Sequence, residues 1–133
     1  MRRYRCHKIA KGKAKGEIVI SKDPLCFYLV DPKDGQVIEK NHDLEGKSIA
    51  NKIIVFPGGK GSSVVQADGL YQLQQENNAP IGMIIKYPDT VLVATSIIMN
   101  IPLVDKVDED FYSIIEDDDV IEINADESII SID

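Results

Sequence analysis

Short runs of β-branched and aromatic residues, separated by turn residues, dominate the first half of the chain. They predict strands at Gly16–Ser21, Pro24–Val30 and Asn51–Phe56. The third run ends in four successive apolar residues, which is typical of a strand buried on both faces. The turn residues of Asp31–Gly35 precede Gln36–Glu39, which we expect to pair back across the turn.

A helical pattern follows in the second half. The segment Val64–Asn77 contains no proline and is rich in glutamine and leucine. Within it, Val64, Ala67 and Tyr71 recur at the spacing of one helical face, so we expect that face to be the apolar one. Gly69 costs about 1 kcal/mol relative to alanine inside a helix, yet a helix remains the prediction.

The other predicted elements are short. Strands are expected at Ala79–Lys86 and Thr90–Val93, a helical turn at Ser96–Asn100, a short helix at Asp108–Ile115, and a closing hairpin formed by Val120–Ile123 and Ser128–Ile132. The acidic first turn of the short helix favours it because it complements the helix dipole. Strands outnumber helices, so the predicted fold class is α/β with a barrel-like β contribution.

Composition is ordinary for a globular domain. The 133 residues are 44% hydrophobic and 28% charged, so we expect one domain over residues 1–133 with its own core. No apolar run is long enough to span a membrane, and the basic start lacks the apolar stretch of a secretory signal. Cys6 and Cys26 form neither a CxxC pair nor a zinc-binding pattern, so we expect free thiols and a cytoplasmic location.

Charge is segregated along the chain. Residues 1–15 hold seven basic residues and no acid, whereas residues 105–133 hold twelve acids and one lysine. We expect both ends to form strands whose exposed charges attract one another; a basic arm that contacts an acidic partner is the alternative. The net charge of −7 argues against binding to duplex DNA or to an anionic membrane.

Candidate chemistry concentrates in Phe56–Ser63, with the sequence FPGGKGSS. A buried strand leads into three glycines, and the loop feeds a helix whose N-cap would be Ser62 or Ser63. Backbone N–H groups at the helix start, the charge of Lys60 and the serine hydroxyls would together hold an anion. The spacing matches neither GxxxxGK[ST] nor GxGxxG. A tight turn with a serine cap is the purely structural alternative, and composition alone favours it.

Other candidate residues are weaker. His7 and His42 are far apart and lack a ligand spacing, and His42 is expected to be a loop residue. The acidic cluster Glu116–Asp119 lacks the glycine and glutamate of an EF-hand, so a solvated turn is expected there.

The segment His42–Ser63 resembles the small subunits of the phosphomevalonate dehydratase family, an archaeal family related to the swivelling domain of aconitase-type enzymes. The likeness extends through GEIVIS, PIGMII and Ser96–Asp105 and so covers nearly the whole chain. It implies a swivelling β/β/α domain that contains the glycine-rich strand–loop–helix unit. The swivelling domain is expected to act as the small subunit of a heteromeric hydro-lyase.

The resemblance also implies a reaction. The family dehydrates (R)-5-phosphomevalonate to trans-anhydromevalonate 5-phosphate in the archaeal modified mevalonate pathway to isoprenoids. A separate large subunit would carry three cysteine ligands and a 4Fe–4S cluster that binds the departing hydroxyl. No cofactor or metal is expected on this chain, and neither nucleic acid nor membrane is expected as a partner.

Residue roles follow from the same likeness. Ser62 is expected to be the base that removes the proton next to the substrate carboxylate, and Gly59, Lys60, Gly61 and Ser63 are expected to bind substrate. Aconitase-type domains usually place an arginine directly after the two serines, where this chain has Val64. The carboxylate and phosphate must therefore be held by Lys60, by backbone N–H groups or by the large subunit.

Three alternatives remain open at this point. The chain could serve the same dehydratase chemistry on another hydroxy acid. It could instead be a non-catalytic phosphate- or anion-binding module, which would tolerate alanine at Ser62. A structural adaptor that uses its charged ends would bind its partner regardless of changes in the glycine loop, and with a strong dependence on salt.

Overall fold

Eight strands form one mixed sheet in the computed structural model, which describes all 133 residues. They are β1 Arg2–Arg5, β2 His7–Ala10, β3 Lys13–Ile20, β4 Ile53–Phe56, β5 Gly82–Ile85, β6 Leu103–Asp105, β7 Val120–Asn124 and β8 Ile129–Ile132. Their spatial order is β1-β8-β7-β3-β4-β5-β6-β2.

The sheet has two halves that share β3. In the parallel half, β3, β4, β5 and β6 run in the same direction, and β2 is added antiparallel at the edge. In the antiparallel half, β1, β8, β7 and β3 pair in alternating directions. Lys13–Glu17 of β3 pair with β7, whereas Ile18–Ile20 pair with β4. The carboxyl ends of β3, β4 and β5 therefore lie side by side.

The first two strands close the sheet. β1 and β2 occupy opposite edges of the strand order, yet Cys6 alone connects them. Because Cα atoms are 3.8 Å apart along the chain, Arg5 and His7 lie within about 8 Å of each other. The two edges must meet, so the sheet curls as the barrel-like prediction requires.

Three helices complete the fold: α1 Ser63–Gln75, α2 Thr90–Met99 and α3 Glu109–Ile114. α1 and α2 cover one face of the parallel half through a cluster that includes Ile54, Leu70 and Leu92. The opposite face packs inside the curled sheet, where Ile53 and Phe111 belong to a second cluster. β4 is buried on both faces, as its sequence predicts. No helix combines the length and the apolar character needed to cross a membrane.

Two strand predictions are wrong. Pro24–Val30 forms a 3₁₀ turn at Phe27–Leu29, because the Phe27 ring turns inward against Phe56 with a centroid distance of 6.0 Å. Thr90–Val93 is the first turn of α2. The Asp89 carboxylate accepts a hydrogen bond from the Leu92 N–H at 2.9 Å, and this N-cap overrides the strand preference of the valines.

The helix at α1 is confirmed, but its predicted apolar face is wrong. The side chain of Val64 is 76% exposed and that of Tyr71 is 52% exposed, while Ala67 is only half-buried. The buried face carries Gln66, Gly69, Leu70 and Leu73. A Cβ atom on Gly69 would lie 2.4 Å from backbone atoms of Phe27 and Tyr28. This close backbone approach fixes the rotation of the helix and leaves the other face uncovered.

Most of the remaining predicted elements agree with the structure, whereas β6 has no predicted counterpart. β3 overlaps the predicted Gly16–Ser21 but begins earlier, at Lys13, while β4 and β5 lie within Asn51–Phe56 and Ala79–Lys86. The short acidic helix is α3, and β7 and β8 form the closing hairpin. The segment Gln36–Glu39 makes only isolated bridges, one of which joins Val37 to Val30 across the turn. The charged ends do form strands, and Lys15 lies opposite Glu122 in the pairing of β3 with β7.

Candidate functional site

The glycine loop leaves the carboxyl end of β4 and is anchored by its backbone. The Leu25 N–H donates to the Gly58 carbonyl at 2.9 Å, and the Lys60 N–H donates to the Leu25 carbonyl at 3.1 Å. Gly61 then adopts a φ of +101°, which side chains rarely tolerate. The N–H groups of Gly59 and Gly61 donate no hydrogen bond within the chain, so they are free to bind an anion.

Gln66 reaches back from α1 and supports this loop from beneath. Its buried side chain donates through Nε2 to the Gly61 carbonyl at 3.0 Å. A Cβ atom on Gly59 would lie 2.2 Å from Gln66 Oε1 and 2.7 Å from Leu92 Cδ1. Gly59 is therefore required for this packing, and the hydrogen bond from Gln66 to Gly61 holds the loop against α1.

Ser62 is the N-cap of α1, which confirms one of the two positions predicted from the sequence. Its Oγ accepts a long hydrogen bond of 3.4 Å from the Val65 N–H, and its carbonyl accepts from the Gln66 N–H at 3.0 Å. The side chain is exposed, and no other side chain of the molecule hydrogen-bonds to its Oγ. Ser63, the first residue of α1, is also exposed. Both hydroxyls thus lie where the helix dipole favours negative charge.

Lys60 is exposed, but its charge is not free. Lys60 Nζ donates to Glu39 Oε2 in a short ion pair. This hydrogen bond raises the pKa of Lys60 above its ordinary value of 10.5. The second oxygen of the carboxylate, Glu39 Oε1, is buried without a hydrogen-bond partner. Binding of a substrate anion by Lys60 would have to compete with Glu39.

Sequence reasoning missed Gln66 and Glu39. Gln66 could have been found, because it shares a helical face with Leu70 and Leu73, and a polar residue in a buried position needs a partner. Nothing local identifies Glu39, which lies 21 residues before Lys60 and meets it only through the fold.

Two weaker candidates have structural roles. His42 is buried in its loop, where its Nδ1 accepts from the Leu44 N–H at 2.9 Å and its Nε2 lies 2.9 Å from the Pro24 carbonyl. In the acidic cluster, the Glu116 N–H donates to Asp119 Oδ2 at 2.8 Å, which is the expected turn.

The sequence places the chain in a known family. The family model described as the aconitase X swivel domain matches residues 3–132. The chain belongs to the aconitase X swivel domain family. Curated relatives of this swivel domain carry the name phosphomevalonate dehydratase small subunit. That of Methanosarcina acetivorans is 42% identical over 125 residues, covering 93% of this chain and 86% of the relative. That of Thermococcus kodakarensis is 45% identical over 102 residues, covering 76% of each chain.

Solved structures agree with this placement. The swivel domain matches a chain in the crystal structure of Thermococcus kodakaraensis aconitase X in its holo form, with a TM-score of 0.88 and 38% identity over 99% of this chain and 98% of that one. It also matches the solution NMR structure of a UPF0107 protein, with a TM-score of 0.87 and 33% identity over 99% of each chain. The family resemblance and the swivelling α/β fold are therefore confirmed.

Proposed function

We propose that this swivel domain is the small subunit of a phosphomevalonate dehydratase, a hydro-lyase that converts (R)-5-phosphomevalonate to trans-anhydromevalonate 5-phosphate in the archaeal modified mevalonate pathway. The observation that carries the proposal is the glycine loop, which presents an exposed N-cap serine beside two free backbone N–H groups. The names of the archaeal relatives support the choice of substrate and of reaction.

Ser62 is the proposed base. The proton on the carbon next to the carboxylate would pass to Ser62 Oγ, and the electron pair of that C–H bond would form the new double bond. The hydroxyl on the neighbouring carbon would leave as hydroxide, which together with the abstracted proton makes up the water that is released. Ser62 must therefore be deprotonated beforehand. The Val65 N–H and the dipole of α1 stabilise an anion at this oxygen. Since no side chain of this chain hydrogen-bonds to Oγ, its own proton would leave to solvent or to the partner.

The substrate-binding groups surround the base. The Gly59 and Gly61 N–H groups and the Ser63 hydroxyl can donate to the carboxylate that flanks the reacting carbon. Lys60 contributes positive charge to the rim, although Glu39 shares it. Another hydroxy acid with the same arrangement of carboxylate and hydroxyl remains the alternative substrate, since Val64 replaces the usual arginine.

The name shared by the relatives implies a partner subunit, and we propose that this partner is the large catalytic subunit. Val64, Tyr71 and Ile98 belong to an exposed apolar groove of about 380 Å³ between α1 and α2. The groove begins at Val64, directly after the two serines, so a subunit that closes over Ser62 would also cover it. An apolar face of this kind is typical of a subunit interface.

A cluster held by three cysteines does not fit this chain, which has only two cysteines. Cys6 is half-buried where β1 meets β2, and burial, with Asp105 and Asp108, raises its pKa to about 11. Cys26 is buried beneath the glycine loop, where a Cβ atom on Gly61 would lie 3.4 Å from its Sγ. The proposal therefore assigns the 4Fe–4S cluster to the large subunit. It also assigns a cytoplasmic location, which the free thiols support.

Anaerobic reconstitution tests the function. The chain is co-expressed with a large subunit of phosphomevalonate dehydratase, and the complex is incubated with (R)-5-phosphomevalonate. The expected result is release of trans-anhydromevalonate 5-phosphate, detected by mass spectrometry, and no release by either subunit alone. Binding of the phosphorylated substrate without turnover would favour the anion-binding module instead. Turnover of other hydroxy acids only would keep the reaction and reject the substrate.

A further inference from the structure

A cavity of about 290 Å³ opens beside the glycine loop, at the carboxyl ends of β3, β4 and β5. Ligands of open α/β sheets bind at this edge because the loops that follow the strands converge there. The cavity shares Pro57 with the start of the glycine loop, and Pro57 precedes Ser62 by five residues. An extended chain of that length spans about 17 Å at most, so the cavity lies within that distance of the proposed base.

Two lysines line this cavity without a carboxylate partner. Lys22 follows β3 and Lys86 follows β5, and neither takes part in an ion pair within 4.0 Å. The Asp43 carboxylate accepts a hydrogen bond from the backbone N–H of Lys22 at 2.8 Å. In a chain with 22 acidic and 15 basic residues, two unpaired ammonium groups at one cavity create a local site for an anion.

Aromatic contact holds one of these lysines in place. Lys86 Nζ lies 4.5 Å from the centroid of the Tyr112 ring, a cation–π contact that leaves the ammonium protons available. Burial, together with Glu109, Asp105 and Cys6, raises the pKa of Tyr112 to about 12. The phenol therefore keeps its proton near neutral pH and can donate a hydrogen bond.

The substrate chemistry decides which anion this cavity would take. The proposed base acts beside the carboxylate, so the carboxylate lies against the glycine loop and the phosphate lies at the far end of the substrate. Lys60 is paired with Glu39, and Val64 stands where an arginine would be. The loop thus lacks a free cation for a dianionic phosphate, whereas the neighbouring cavity has two.

We propose that Lys22, Lys86 and Tyr112 form the subsite that binds the phosphate group of the phosphorylated hydroxy-acid substrate. This inference rests on the proposed function and specifies how that site distinguishes a phosphorylated substrate from a plain hydroxy acid. Phosphate bound by two ammonium groups and a phenol would contribute to substrate binding rather than to the proton transfer at Ser62.

Steady-state kinetics of the two-subunit complex test the subsite. Lys22→Gln and Lys86→Gln are each expected to raise KM for 5-phosphomevalonate by about tenfold or more, with kcat changed less than about threefold. Lys33→Gln, an exposed lysine outside the cavity, is the matched control and should behave as wild type. On mevalonate, which lacks the phosphate, all of these complexes should be equally poor.

Each outcome separates the two proposals. An unchanged KM in both cavity variants of an active complex overturns the subsite and leaves the dehydratase function standing. The subsite is also overturned if the cavity variants lose as much activity relative to wild type on mevalonate as on 5-phosphomevalonate, because the cavity would then hold the carboxylate. If the wild-type complex does not act on 5-phosphomevalonate, the proposed function fails. Titration of the full chain with inorganic phosphate then decides the subsite alone. A saturable amide shift at Tyr112 that is lost in Lys86→Gln supports it, and the absence of a shift in the wild-type chain rejects it.

Discussion

The two halves of the sheet differ in whether the ends of their strands converge at one edge. In the parallel half, β3, β4 and β5 end together, and their ends open onto the glycine loop and the Lys22–Lys86 cavity. In the antiparallel half, successive strands end at opposite edges, so their loops do not converge. Within it, β7 alternates exposed and buried residues over Val120–Ile123, whereas β4 and β5 are buried throughout. The antiparallel half completes the closure of the sheet, whereas the candidate site residues follow strands of the parallel half.

Gly69→Ala is expected to cause the largest loss of stability. The added methyl group would meet the backbone of Phe27 and Tyr28 at 2.4 Å, and backbone cannot move aside. We expect a loss of about 3 kcal/mol in the free energy of unfolding, measured by urea denaturation. In the antiparallel half, Gly16→Ala meets only the tip of the Ile81 side chain at 2.9 Å and should cost less than about 1 kcal/mol. Equal losses would show that α1 is not fixed by this contact.

Ile98→Asp is expected to prevent assembly with the large subunit. Ile98 is 77% exposed on the apolar groove beside the loop, and a carboxylate there would be desolvated in the interface. The matched control is Val120→Asp, because Val120 is 50% exposed but lies in the antiparallel half. Co-purification with a tagged large subunit checks both. Assembly of the Ile98 variant, or its loss in the control, would place the interface elsewhere.

Gln66→Leu is expected to lower kcat by about 10²-fold, since a loop released from the Gly61 contact misplaces Ser62. Leucine keeps the buried volume, so the melting temperature should change little. Gln74→Leu removes the same kind of bond, to the Met99 carbonyl at 3.0 Å, at the other end of α1. Its kcat should match wild type, and an equal loss in both variants would indicate a general weakening of the helix.

Of these substitutions, Glu39→Gln is expected to have the smallest effect, a change in the pKa of Lys60. The pKa of Lys60 is raised by the hydrogen bond to Glu39, so the lysine is fully charged below pH 10.5, and the ion pair is lost as the pH rises through the raised value. Removing the carboxylate should return the pKa of Lys60 toward 10.5, which NMR titration of its side chain would detect. Asp117→Asn, which removes a 3.8 Å contact with Lys47, should leave Lys60 unaffected.

Local signals account for what the sequence revealed about the parallel half. The buried run of β4, the three glycines and the serine cap are consecutive in the chain, so one segment predicts the whole strand–loop–helix unit. The errors arose where two local signals competed or where tertiary contact decided. At Thr90–Val93 the β-branched residues favoured a strand, and the Asp89 cap prevailed.

Tertiary contacts determined the rest. The orientation of α1 depends on the meeting of Gly69 with a turn some 40 residues earlier, and no helical periodicity contains that information. Likewise, the pairing of Lys60 with Glu39 depends on a loop that makes only isolated bridges. The Lys22–Lys86 cavity arises because β3 and β5 flank β4 in the sheet, an order that the sequence does not state.

The central claim is that Ser62 is the base rather than only a helix cap, and Ser62→Asn tests it most directly. Asparagine is as good an N-cap as serine, so the melting temperature and the assembly of the complex should stay as in wild type. Turnover of 5-phosphomevalonate should fall by about 10³-fold or more, because the amide cannot accept the proton. Turnover near the wild-type rate would contradict the account and leave Ser62 with a structural role alone.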